Sequence, residues 1–69
     1  MIYYKFKVLE ALNQAGYSTY RLRKEHIIGE SSVQRLRDNS PVNIETLNTL
    51  CELLGLQPGD IIGYKKEEV

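Results

Sequence analysis

The sequence predicts an all-α fold, a compact bundle of four to five short helices forming one domain over residues 1–69, and three observations carry that reading. Apolar residues recur at spacings of three and four in separate short runs, the mark of helices that each turn one face inward. Glycine and proline stand between those runs, at Gly16, Gly29, Pro41, Gly55 and Pro58, where helices start and stop. Between Ser18 and Asn39, two short amphipathic segments flank a tight break, the layout of a helix-turn-helix.

Taken in chain order, Tyr4, Val8, Ala11, Leu12 and Ala15, with Leu9 beside them, predict a helix from about Lys5 to Ala15, ended by Gly16 in the left-handed conformation. Ser18 is the expected N-cap of a helix from Thr19 to His26, because its hydroxyl can accept an unpaired amide proton of the first turn. Gly29 is expected to permit the reversal that follows. Glu30 to Arg37 then reads as a second helix with Val33 and Leu36 inward and Ser31, Ser32, Gln34, Arg35 and Arg37 outward.

Asn39-Ser40-Pro41-Val42 is a loop in which Asn39 can take positive φ and Pro41 forbids helix continuation. Asn43 caps a helix through Leu54, with an expected core stripe of Ile44, Leu47, Leu50, Cys51 and Leu54, and Gly55 closes it. Pro58 suits the first position of a single further turn. Ile2-Tyr3-Tyr4 and Ile61-Ile62-Gly63-Tyr64 are β-prone, so the chain ends can form a small two-stranded pairing. The closing Lys65-Lys66-Glu67-Glu68 is expected to fray.

Composition narrows the function. At this size roughly 60% of the unfolded surface is buried on folding, so stability is marginal without a partner. One cysteine and one histidine furnish neither an internal disulfide nor a zinc site, and a reducing, cytoplasmic setting fits. No run approaches the roughly 20 apolar residues that span a bilayer, so no membrane role is expected. Nine basic and nine acidic side chains sum to zero, but they are unevenly placed. Residues 1 to 37 carry seven bases against Glu10, Glu25 and Glu30, and residues 38 to 69 carry Lys65 and Lys66 against six acids. Such a dipole turns a positive side toward phosphates, while the neutral total limits non-specific affinity.

The pattern SxxxLxxxxxxxxSSVxxLR from Ser18 to Arg37, followed by VNIETLNTLCELLGLQPGDII, resembles the Cro/lambda-repressor type of helix-turn-helix, the XRE-like transcriptional regulators, over nearly the whole chain. The resemblance implies a lambda-repressor-like five-helix domain, sequence-specific binding of double-stranded DNA, a cytoplasmic location and a homodimer on a near-palindromic operator. It places Thr19 where family members often bond a phosphate and Leu22 at an inward position. Glu30, Ser31, Ser32, Gln34 and Arg35 fall where the recognition helix meets bases or backbone, and Asn39, Ser40 and Asn43 in a loop and cap that frequently contact phosphate. Arg23 stands where most members have alanine, and Ile27 where most have the turn glycine.

Each candidate has a plainer reading beside the functional one. Arg35 can bond guanine O6 and N7 together, or can be a solvated arginine paired with Asp38 or Glu30. Gln34 can read adenine or simply favour the helix. Ser31 and Ser32 can bond phosphate or the helix end, and Glu30 suits the helix dipole as well as cytosine N4. Arg21, Lys24 and Arg37 can follow phosphates or form a solvated face, while Arg23 is expected to be partly buried with its head paired. Of the five tyrosines, Tyr20 alone is placed to reach a phosphate; Tyr4, Tyr17 and Tyr64 read as rim-of-core residues with a wet hydroxyl. His26 reads as a helix C-terminal residue and Cys51 as inert core.

No catalytic set, glycine-rich phosphate loop or metal cluster can be assembled, so neither an enzyme nor a cofactor or small-molecule ligand is expected. The expectation is a DNA-binding transcriptional regulator reading the major groove with the helix at about 30–38, its dimer surface drawn from Leu53, Leu56 and Tyr64 or from the paired chain ends. The alternative is a protein-interaction module, an antirepressor or regulator partner, on the same scaffold without DNA affinity.

Overall fold

The computed structural model describes residues 1–67. Its order is β1 (Ile2–Tyr4), α1 (Val8–Gln14), α2 (Thr19–Lys24), α3 (Glu30–Arg37), α4 (Ile44–Leu54), α5 (Pro58–Ile61) and β2 (Ile62–Tyr64). The helical bundle matches the expected class, and Glu68 of the tail lies outside the described residues. The chain ends do pair: β1 and β2 run antiparallel with Ile2 opposite Tyr64, Tyr3 opposite Gly63 and Tyr4 opposite Ile62. This ribbon takes the first residues of the expected opening helix. Lys5 donates its amide to Ile61 at 2.8 Å and its ammonium to the Gly59 carbonyl at 2.5 Å, so α1 starts only at Val8.

Helices α1 to α4 stop by one device. A residue with positive φ follows each: Gly16 (93°), His26 (53°), Asn39 (58°) and Gly55 (67°). The residue after it bonds back five positions, Tyr17 to Leu12, Ile27 to Leu22, Ser40 to Arg35 and Leu56 to Cys51, which satisfies carbonyls the helix end leaves open. Those four residues are all half-buried, so each turn also seats a side chain against the body.

The break inside the helix-turn-helix therefore differs from the expectation at three positions. Gly29 has φ −67° and ψ 158°, an extended N-cap of α3, and does not make the reversal. His26 makes it, so α2 ends at Lys24 and His26 lies beyond the helix. Ile27, at the position of the usual turn glycine, keeps ordinary φ because a β-branched residue clashes in the left-handed region; the bend moves one residue earlier, onto a type that tolerates it better.

The core joins every helix except the surface turns: Val8 and Leu12 of α1, Leu22 of α2, Ile28, Val33 and Leu36 of the turn and α3, Leu50 of α4 and Ile61 of α5. Burying one such side chain contributes about 1.5–3 kcal/mol relative to leaving it in water. Ile44 does not belong to the expected stripe; it is 81% exposed. It stands six residues before the buried Leu50, about 120° round a helix of 3.6 residues per turn, and so points off the inward face.

Candidate nucleic-acid interface

Val33 and Leu36 fix the rotation of α3, because both are buried, and the remaining side chains of the helix follow from that anchor. Glu30, Ser31, Gln34, Arg35 and Arg37 are exposed as expected. Ser32 is not. It is half-buried, and its hydroxyl lies 3.1 Å from Thr46 Oγ1 in the first turn of α4, where Asn43 caps the helix by accepting the Thr46 amide at 2.8 Å. Ser32 is thereby a tie between α3 and α4, and the same bond brings the Asn43 cap beside the amino end of α3. Thr46 was not among the expected residues; its place three residues after a cap asparagine is the signal that could have found it.

Arg35 pairs with neither Asp38 nor Glu30. Its guanidinium donates at 3.4 Å to the Pro41 carbonyl in the α3–α4 loop, a long, exposed contact. Gln34 donates to Asp38 at 3.1 Å, and Arg37 donates to Gln34 at 3.5 Å, so these three form a polar row along the solvent side of α3. Asn39 is exposed with its left-handed backbone. Ser40 is half-buried and spends its amide on Arg35 at 2.7 Å and its carbonyl on the Tyr4 hydroxyl at 2.6 Å. The Tyr4 hydroxyl is thus part-buried and bonded within the fold: burial pushes its pKa up, while a hydrogen bond with the Val42 backbone pulls it the other way.

On α2, Ser18 caps as expected, accepting the Arg21 amide at 3.2 Å, and Thr19 is half-buried at the helix start. Tyr20 is exposed with the Lys24 ammonium 5.6 Å from its ring centre, so the two present one amphipathic patch. Arg21 is committed elsewhere. It pairs with Glu25 at 2.7 Å, donates to the Gly16 carbonyl at 3.0 Å and lies 4.8 Å over the Tyr17 ring, stapling α2 to the preceding turn. Arg23 is exposed, contrary to the expected partial burial with a paired head. Among the described residues Arg21–Glu25 is the only ion pair, so Lys24, Arg35 and Arg37 keep their charges available to a polyanion.

The exposed set gathers in two places: the solvent side of α3, and the segment from Asn39 to Asn43 that the Ser32–Thr46 bond holds against it. Tyr20 and Lys24 stand on α2, the helix that the turn at His26 joins to α3. Hydrogen-bond donors and acceptors dominate the first place, and a backbone with an exposed Asn39 the second. No group of side chains among the described residues could hold a metal ion, and no helix among them is long and apolar enough to cross a membrane. A family model described as a Cro/C1-type HTH DNA-binding domain matches residues 7–67. No curated protein and no solved structure matches the chain.

Proposed function

Because this chain belongs to the family of Cro/C1-type helix-turn-helix DNA-binding domains, a family of DNA-binding regulators, we propose that it reads the major groove of double-stranded DNA with α3 in a sequence-specific way. The observation that carries the reading is the split of α3 into a buried pair, Val33 and Leu36, and an exposed polar side led by Arg35. Eight helical residues make a rod about 12 Å long, which fits a groove about 12 Å wide.

In this reading Gln34 and Arg35 meet base edges, Ser31 and Glu30 stand at the helix start, and Arg37, Lys24, Tyr20, Thr19, Asn39 and Asn43 hold the phosphates. Ser32, Ser40 and Arg21 act by holding the elements in place, since the Ser32 hydroxyl, the Ser40 backbone and the Arg21 guanidinium already have partners. Arg35 is the leading base reader because a long single bond to Pro41 is all it gives up. The proposed assembly is a homodimer in the cytoplasm, with two copies of α3 about 34 Å apart on one face of the duplex.

The test is a titration of duplexes enriched from a random pool, at several salt concentrations, with wild type, Arg35→Ala and Arg37→Ala. Affinity falls steeply with salt; Arg37→Ala makes the salt slope shallower by about one, and Arg35→Ala costs about 1–3 kcal/mol and relaxes the sequence preference. A salt-insensitive response with both variants unchanged would overturn the reading in favour of an interaction module.

A further inference from the structure

We propose that Tyr4 is a positioning residue for DNA binding: from the terminal ribbon it clamps the backbone on either side of Pro41, and so holds the segment from Asn39 to Asn43 in the shape that meets phosphates. The inference rests on the reading just given and adds to it a residue that touches no DNA. Its starting point is the Tyr4 hydroxyl, which donates to the Ser40 carbonyl at 2.6 Å across 36 positions of chain. The same oxygen meets the Val42 backbone, the hydrogen bond that draws its pKa down against burial. One phenol oxygen thus grips the chain at Ser40 and at Val42, with Pro41 between them.

The segment is otherwise held from the two helices it connects. Ser40 gives its amide to the Arg35 carbonyl at 2.7 Å and Asn39 its amide to the Leu36 carbonyl at 3.3 Å, both at the end of α3. At the other end Asn43 caps α4 by accepting the Thr46 amide at 2.8 Å. Among the described residues Tyr4 is the one residue outside α3 and α4 that hydrogen-bonds to the segment. Pro41 has no N–H with which to hold itself. Arg35 does reach the Pro41 carbonyl, at 3.4 Å, but an Arg35 that turns to a base edge gives this contact up. With DNA bound, Tyr4 is then the hold on the turn that remains.

The clamp sits where it matters for phosphate contact. Asn39 precedes Ser40 and Asn43 follows Val42, so each exposed asparagine is one residue from a gripped backbone group. A segment that wanders binds only in the fraction of time it spends in the competent shape, and its apparent affinity falls by that fraction. The footing of the clamp is firm: Tyr4 pairs with Ile62 across the ribbon, and the next residue, Lys5, gives its amide to Ile61 at 2.8 Å. Tyr4, Val42, Leu47 and Ile62 all pack against the core, and the ribbon and the segment share one cleft lined by Ile2, Tyr4, Pro41 and Val42. Apolar contact thus seats the segment on the ribbon, and the hydroxyl fixes which way its carbonyl and amide turn.

The experiment measures Kd for a duplex enriched from a random pool, at several salt concentrations and at a temperature where every variant is folded, with wild type, Tyr4→Phe and Ile61→Val, a core truncation in α5 that lowers stability. The expected result is a Kd raised about three- to tenfold in Tyr4→Phe, the range a neutral hydrogen bond is worth when its loss goes into freeing the segment. The salt slope stays that of wild type, because no charge is removed, and Ile61→Val binds as wild type does. Amide exchange without DNA gives the second measurement: Tyr4→Phe speeds exchange at Ser40 and Val42 at least about threefold more than at Leu50, which reports the stability of the body. An unchanged Kd in Tyr4→Phe, an equal rise in Ile61→Val, or exchange that quickens alike at Val42 and Leu50 overturns the clamp while leaving DNA binding intact. A wild type that binds no duplex overturns the DNA reading itself, and the role of Tyr4 with it.

Discussion

Replacing Ser32 with alanine, beside the same change at Ser31, separates a side chain that holds the fold from one that is free. Both serines lie in the first turn of α3, so both changes share any gain in helix propensity, at most about 0.5 kcal/mol. Ser31 is exposed and makes no side-chain hydrogen bond among the described residues, and its replacement stays within about ±0.5 kcal/mol. Ser32→Ala also removes the half-buried 3.1 Å bond to Thr46, a net loss of about 0.5–1.5 kcal/mol. The expected difference between the two variants is therefore about 1 kcal/mol, or about 4–8 °C in melting temperature for a domain of this size. Urea denaturation of both variants, of Thr46→Val and of the Ser32→Ala/Thr46→Val double variant completes the measurement. The double variant should lose less than the sum of its parts, since one bond cannot be broken twice. Equal stability of Ser31→Ala and Ser32→Ala, with strict additivity in the cycle, would refute the tie between α3 and α4 and return Ser32 to the exposed face.

Two further outcomes follow from the backbone and from Tyr4. His26→Gly relieves a left-handed residue at φ 53° and should stabilise the domain by about 0.5–1 kcal/mol, read as a higher urea midpoint with unchanged slope; a lower midpoint would contradict the turn geometry. Tyr4→Phe removes the 2.6 Å bond to the Ser40 carbonyl and should cost about 0.5–1.5 kcal/mol near neutral pH. Burial raises the folded-state pKa of Tyr4, so the stability linked to its proton is fully present below the unfolded value, about 10, and is lost as pH rises through the folded value. Denaturation from about pH 8 to about pH 11, a range set about that reference value, should show wild type falling toward Tyr4→Phe; parallel curves would count against the part-buried hydroxyl.

Much of this architecture was legible because the chemistry of turns is written in residue type. Gly16, Asn39 and Gly55 announce left-handed backbone, Ser18 and Asn43 announce caps, and Pro58 announces a first turn. His26 was illegible for the same reason: nothing in a histidine signals positive φ, and the nearby Gly29 drew the reversal to itself. Ile44 misled because a spacing of three to Leu47 looks like a stripe until the buried centre at Leu50 fixes the angle. At the site, the free side of α3 could be read from Val33 and Leu36. The fates of Ser32, Ser40 and Arg21 could not, because Thr46, Tyr4, Gly16 and Tyr17 reach them only once separate elements have docked.

The ribbon that ties Met1 to Lys65 also sets an order of assembly. Its strands close nearly the entire chain into one loop, an entropic cost met only after the helices between them have packed, and two strands alone are marginal in water. The ribbon is therefore expected to open more readily than the helical body between Val8 and Leu54, read as faster amide exchange at Tyr3 and Gly63 than at Leu12 and Leu50. Because the two ends are paired with each other, loosening either one frees the other as well.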